Sequence, residues 1–256
     1  MKIGAYSFAI TGQIEANFAR MKAGIEKAYE AGVQLLLFPE CAVTGYPPHC
    51  VPSASQVDYS QVNLVHQRLQ ALSFQYQMHI IAGSITPADG KYRNTALVFF
   101  PDGKTEAYCK RALWGYDREN FIPGIHPGVF EIGPLKVGVR ICFEVRFPEY
   151  FRELYREKTD LNLILFYDRA EQEDLNRYSL IRGHIQTRAV ENVCCILSCN
   201  TCSSFQTAPT AVFDRSGKAI HEMERGKEGL LIFDYEKTPL SFGEKGRKEI
   251  SDSLVK

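Results

Sequence analysis

Glu40, Lys110 and Cys142 each stand at or just past the end of an apolar run: Val33–Phe38, Thr105–Lys110 and Lys136–Ile141. In layered α/β proteins ligands gather outside the carboxyl ends of strands, so all three are candidates for one site. Taken singly, each has a plainer reading. A polar residue at a strand end is usually solvated loop, and a cysteine beside a strand usually packs as a small apolar side chain. The combination is more informative. A thiol attacks poorly while protonated and needs a base or a nearby positive charge to become thiolate. Glutamate supplies a base and lysine a cation, whereas none of the six histidines stands in a context that suits a cysteine–histidine pair.

The elements that must carry these residues alternate along the chain. Lys2–Ile10 reads as a strand, and Ile14, Phe18, Met21, Ile25 and Ala28 recur at helical spacing across Gln13–Ala31 before Gly32. A buried strand (Val33–Phe38), a helix through Val62, Val65, Leu69, Leu72 and Tyr76, and a strand (Ile80–Ile85) follow. Pro101-Asp102-Gly103-Lys104 has the turn residues of a hairpin between Asn94–Phe100 and Thr105–Lys110. Lys136–Ile141 and Leu161–Phe166 read as strands and Phe147–Lys158 and Glu173–Asn192 as helices. Strands at Val193–Ser198, Thr210–Phe213, Ala219–Met223 and Gly229–Asp234 precede a polar tail from about Glu244. With no linker or repeat to divide them, residues 1–256 are expected to form a single α/β domain with mixed sheets. Two packed sheets covered by helices would accommodate so many strands.

Three segments carry a family resemblance: Leu36-Leu37-Phe38-Pro39-Glu40 with Thr44-Gly45-Tyr46-Pro47, Tyr108-Cys109-Lys110-Arg111, and Gly138 to Glu149 around Cys142. They resemble, in order, the three signature regions of the nitrilase superfamily of carbon–nitrogen hydrolases. The resemblance extends to Arg188–Asn192, Asn200 and the turn at Asp214–Gly217. It implies a four-layer α-β-β-α sandwich, assembled as a homodimer or larger homo-oligomer. It also implies that Glu40 is the base, Lys110 the family's lysine, Cys142 the nucleophile, and Glu119 the second glutamate that holds the lysine. The implied reaction cleaves the C–N bond of a small amide or carbamoyl compound through a cysteine thioester, with no metal or other cofactor. A nitrile substrate, or a binding protein on the same scaffold, are the alternatives.

Tyr46 and Phe143 are candidate substrate contacts, although aromatic residues beside a core more often simply pack. Where many relatives carry a Pro- and Trp-containing segment, this chain has Tyr167-Asp168-Arg169-Ala170. Asp168 or Arg169 either binds a charged substrate, arginine matching a carboxylate through two parallel hydrogen bonds, or forms a surface or interface salt bridge. Glu144 either positions the loop after Cys142 or pairs with Arg140 or Arg146.

Composition narrows the partners. Thirty basic residues balance thirty acidic ones over 256 residues, which leaves no electrostatic footprint for nucleic acid or an anionic membrane. No apolar run approaches the roughly 18 residues of a membrane span, and the first residues carry no apolar signal region, so a cytoplasmic location is expected. The eight cysteines are irregularly spaced and read as free thiols. Cys199-Asn200-Thr201-Cys202 has half the spacing of a zinc site without a second half.

Overall fold

The computed structural model describes residues 1–254. Along the chain come β1 (Lys2–Ser7), β2 (Leu35–Leu37), β3 (His79–Ala88), β4 (Lys91–Phe99), β5 (Thr105–Cys109), β6 (Val129–Ile132), β7 (Leu135–Ile141), β8 (Leu161–Phe166), β9 (Cys195–Asn200), β10 (Ala211–Phe213), β11 (Ala219–Glu222) and β12 (Gly229–Asp234). They form two six-stranded sheets, ordered β12-β1-β2-β3-β4-β5 and β11-β10-β9-β8-β7-β6. Each sheet has three parallel strands at its centre, β1-β2-β3 in one and β7-β8-β9 in the other, flanked by antiparallel neighbours. The helices are α1 (Ile14–Glu30), α2 (Tyr59–Tyr76), α3 (Tyr116–Asn120), α4 (Pro148–Arg156), α5 (Leu175–Glu191) and α6 (Phe242–Leu254).

Successive strand side chains point to opposite faces, and here both faces are covered. Ile3, Ala5, Leu35, Leu37 and Ile81 of one sheet meet Val137, Val139, Leu161, Leu163 and Leu165 of the other in a dry layer. The alternate residues Leu36, Ile80 and Ala82 face Phe18, Met21 and Ile25 of α1 and Val65 and Leu69 of α2. Ile164, Phe166 and Ile196 face Phe151 and Leu154 of α4 and Ile181 and Ile185 of α5. The result is the expected α-β-β-α sandwich. Asp58 caps α2 through the N–H groups of Ser60 and Gln61, and Pro148 opens α4, where a missing N–H costs nothing.

Three elements, α3, β6 and α6, had no sequence signal. β6 is a short edge strand. α6 lies in the polar tail and buries only Glu244 and Ser251. Polar contacts hold it to α4: Tyr155 Oη donates to Asp252 at 2.6 Å, and Arg152 donates to Ser251 at 3.2 Å. A helix fastened by hydrogen bonds rather than an apolar stripe shows little hydrophobic periodicity.

The parallel centres place the polar residues. Glu40 follows β2, Cys142 follows β7 directly, and Asp168 follows β8. The backbone N–H of Glu40 donates to the Phe166 carbonyl at 3.3 Å, which joins the strand ends of the two sheets.

Candidate active site

Cys142 opens a single 3-10 turn, Cys142–Arg146, with φ of 48°. A side-chain-bearing residue in this left-handed region is strained and persists only where its surroundings impose it. Glu144 supplies the imposition. Its buried carboxylate accepts from the backbone N–H of Ile141, the Tyr108 hydroxyl and the backbone N–H of Arg111, each at 2.7 Å. Of the readings open for Glu144, the structure shows the positioning one, since its carboxylate meets neither Arg140 nor Arg146.

Lys110 is 2% exposed, so its charge has to be met inside the protein. Nζ donates to Glu40 Oε1 at 2.9 Å and to Asp117 Oδ2 at 2.6 Å. Glu40, wholly buried, also accepts from Asn94 Nδ2 at 2.7 Å and, through Oε2, from the Tyr167 backbone N–H at 2.8 Å. Asp117 accepts the Tyr46 hydroxyl at 2.7 Å. Glu40 comes this close because of Gly83: a Cβ there would lie 2.3 Å from Cys41 N and 2.4 Å from Pro39 O.

Burial pushes the Cys142 thiol well above its ordinary value; the Glu40 carboxylate adds to the rise and Lys110 offsets part of it. Burial likewise raises Glu40, against the pull of Lys110. For Lys110, burial works against the charge, yet Glu40, Cys142 and Asp117 together hold its pKa well above the usual lysine value. The arrangement is a protonated thiol near a carboxylate and a permanent ammonium.

Lys110, Asp117 and Cys142 open onto a cavity of about 270 Å³ lined by Tyr46, His49, Lys110, Trp114, Asp117, Cys142, Phe143, Tyr167, Asp168, Arg169 and Arg177. The Tyr46 and Tyr167 rings stack at 5.1 Å and 13°. Among the described residues, no group of three or more His, Cys, Asp or Glu side chains is arranged to hold a metal ion, and no helix is long and apolar enough to cross a membrane.

The carbon-nitrogen hydrolase family model matches residues 2–237. The chain belongs to this family. Among curated proteins, the carbon–nitrogen hydrolase chain is 29% identical over 168 residues to omega-amidase NIT2 of Xenopus tropicalis, covering 61% of this chain and 59% of that protein. It is 28% identical over 163 residues to a nitrilase of Pyrococcus abyssi, covering 60% and 61% respectively. The matched region thus spans about 60% of the length of these relatives. In fold it is similar to an amidase from Nesterenkonia sp., with TM-score 0.81, 24% identity, and coverage of 99% of this chain and 96% of that one. A cysteine-to-alanine variant of the Nesterenkonia sp. AN1 amidase in complex with butyramide gives the same TM-score, identity and coverage.

Within this carbon–nitrogen hydrolase, the sequence reading of Glu119 needs correction. Glu119 is exposed and makes no contact with Lys110; the carboxylate on the lysine is that of Asp117. Both residues lie in α3, where residues two apart face different directions, so the helix can turn only one of them inward. Asp168 and Arg169 separate as well. Asp168 is buried, accepting from the exposed Arg177 at 2.6 Å and from Thr207 at 2.7 Å, so its carboxylate is paired within the cavity wall. Arg169 is exposed at the mouth.

Asn94, Asp117, Arg177 and Asn200 were not anticipated. Asn94 interrupts the apolar pattern of β4, a signal that was there to be read. Asn200 lies in the resemblance without a role; its amide oxygen accepts from Asp168 N at 2.9 Å and its amide nitrogen donates to the Asp168 carbonyl at 2.8 Å, fixing the cavity wall. Cys199 and Cys202 donate to the Tyr6 and Gly226 carbonyls, each thiol occupied by its own backbone partner.

Proposed function

We propose that this carbon–nitrogen hydrolase cleaves the C–N bond of a small amide or carbamoyl compound through a thioester on Cys142. The observation that carries the reading is a strained thiol facing a cavity in which one buried ammonium, Lys110, is gripped by Glu40 and Asp117. A thiol held protonated by burial needs a base at the moment of attack, and Glu40 is the carboxylate that acts most strongly on it.

Glu40 accepts the thiol proton as sulfur bonds to the substrate carbonyl carbon. The negative charge that develops on the carbonyl oxygen is met by Lys110 and the backbone N–H of Phe143, a preorganised donor commonly contributing about 3–4 kcal/mol. Collapse of this intermediate breaks the C–N bond, and Glu40 returns its proton to the departing ammonia or amine. Water then attacks the thioester, Glu40 taking its proton, and the acid leaves as the proton goes back to sulfur. Asp117 holds Lys110 and the Tyr46 hydroxyl in place. Phe143 and Tyr46 form walls for the substrate, while Asp168 anchors Arg177 and Arg169 meets the substrate at the mouth. The butyramide complex of the similarly folded amidase supports an amide over a nitrile substrate.

The test is ammonia release from a panel of amides, ureido acids and nitriles by the wild type and Cys142→Ala. Cysteine-dependent release from amides is expected, with an acyl adduct on Cys142 by mass spectrometry of a slow substrate. Full activity in the folded Cys142→Ala variant would overturn the mechanism. Activity on nitriles alone would replace the substrate class.

A further inference from the structure

Asn162 is the polar member of β8, whose other residues are all apolar. It is 1% exposed; Thr159 Oγ1 donates to its Oδ1 at 2.8 Å, while its Nδ2 has no hydrogen-bond partner among the described residues. Asn192, just past α5, is 3% exposed; its Nδ2 donates to the Arg188 carbonyl at 2.9 Å, while its Oδ1 likewise has no partner. Buried amides are nearly always paired, so two half-satisfied asparagines at one place call for an explanation.

Both asparagines line a cavity of about 400 Å³ at the amino end of β8, larger than the one at Cys142. Asp168, in the wall of the Cys142 cavity, lies past the other end of β8, about 20 Å away at the rise per residue of a strand. The rings of Tyr155 and Tyr235 give the second cavity apolar walls, and Lys158, Lys237 and Lys248 bring ammonium groups to it. Lys237 pairs with Asp160 at 2.5 Å and Lys248 with Asp252 at 3.2 Å, while Lys158 has no carboxylate within ion-pair distance among the described residues. Arg215, which also lines the cavity, is already occupied by Glu244 and Thr238. The charge on offer is therefore that of compact ammonium groups rather than a guanidinium fork.

We infer that this cavity is a second, non-catalytic binding site, for a small hydroxylated phosphomonoester of the sugar-phosphate kind. Lysines hold phosphate as point charges and need no fork, whereas a planar carboxylate is matched best by a free arginine. A sugar hydroxyl both donates and accepts. Neighbouring hydroxyls thus supply the acceptor that Asn162 Nδ2 lacks and the donor that Asn192 Oδ1 lacks. The carbon face of the sugar packs on the Tyr155 and Tyr235 rings. The cavity has room for about a dozen waters at their liquid volume, a space that one sugar phosphate fills. The site goes beyond the amide-hydrolysis reading and does not rest on it.

Calorimetric titration of the full chain with ribose 5-phosphate, inorganic phosphate and ribose tests this. The ester is expected to bind once per chain, about 10-fold or more tighter than inorganic phosphate, with ribose showing no binding at the same concentration. Lys158→Glu, at an exposed position where folding is not at stake, should weaken binding of the ester by about 10-fold or more. Asn192→Ala, with its fold checked by circular dichroism, should bring the ester down to the affinity of phosphate. Cys142→Ala should bind the ester as the wild type does, since the site lies away from the thiol. Absence of ester binding, or ribose bound as tightly as the ester, would overturn the inference. Phosphate bound as tightly as the ester would mean an adventitious ion only, and would overturn it too. So would an unchanged affinity in Lys158→Glu or in folded Asn192→Ala, or loss of binding in Cys142→Ala.

Discussion

The Glu144 carboxylate accepts the backbone N–H of Arg111 at 2.7 Å. Through its other oxygen it accepts Ile141 N, also at 2.7 Å, so one buried carboxylate ties the residue after Lys110 to the residue before Cys142. The two segments come from different sheets, and their relative position sets how the ammonium faces the thiol. Glu144→Ala leaves these N–H groups and the Tyr108 hydroxyl without partners. Breaking a buried charged network in this way commonly costs about 3–5 kcal/mol. We expect a fall in stability of that order by urea denaturation, together with a drop in kcat larger than any change in KM.

Asp117 and Glu119 give a clean comparison within one short helix. Asp117→Asn weakens the hold on Lys110 and should lower kcat/KM by about 10²-fold, the scale of losing a positioned charge at a developing oxyanion. Glu119→Gln, at an exposed site, should stay within about twofold. Steady-state kinetics on a single amide checks both, and the reverse ranking would restore Glu119 to the site.

Gly83 permits the close approach that seats Glu40. A methyl group there meets the backbone of Pro39, Glu40 and Cys41 at 2.3–2.6 Å, so the backbone must move. Gly83→Ala is expected to cost about 1–3 kcal/mol through overpacking and to lower kcat beyond what the loss of folded protein explains. Urea denaturation with active-site titration tests this.

Glu40 must be ionised to accept the thiol proton, and burial raises its pKa. The acid limb of kcat/KM against pH should therefore lie above the ordinary glutamate value of about 4.3. A neutral amide substrate keeps substrate ionisation out of the profile. A limb at or below the ordinary value would exclude Glu40 as the titrating base.

His66, whose Nε2 lies 2.9 Å from Ser84 Oγ, has its pKa lowered by burial to about 4. The folded state keeps this imidazole neutral while the unfolded chain protonates it near pH 6.5. Its contribution to stability is therefore present above pH 6.5 and lost as pH falls to about 4, with a ceiling of about 3 kcal/mol. His66→Gln should flatten denaturant stability across this window, and an unchanged slope would count against the assignment.

The sequence by itself determined the layers and the three central polar residues. Alternating or continuous apolar runs ended just before Glu40 and Cys142, and residue type pointed to the chemistry proposed for them. The strands Leu161–Phe166 and Gly229–Asp234 follow their predicted limits residue for residue. Only the tertiary structure decided which carboxylate meets Lys110, because Asp117 and Glu119 are equivalent in composition and separate only when α3 turns one face inward. It also decided that Asp168 is spent on Arg177 while Arg169 is left facing the cavity. Periodicity reports how an element is buried against its layer. The partner of a charge is set where strand ends from two sheets converge, and that convergence brings together residues far apart in the chain.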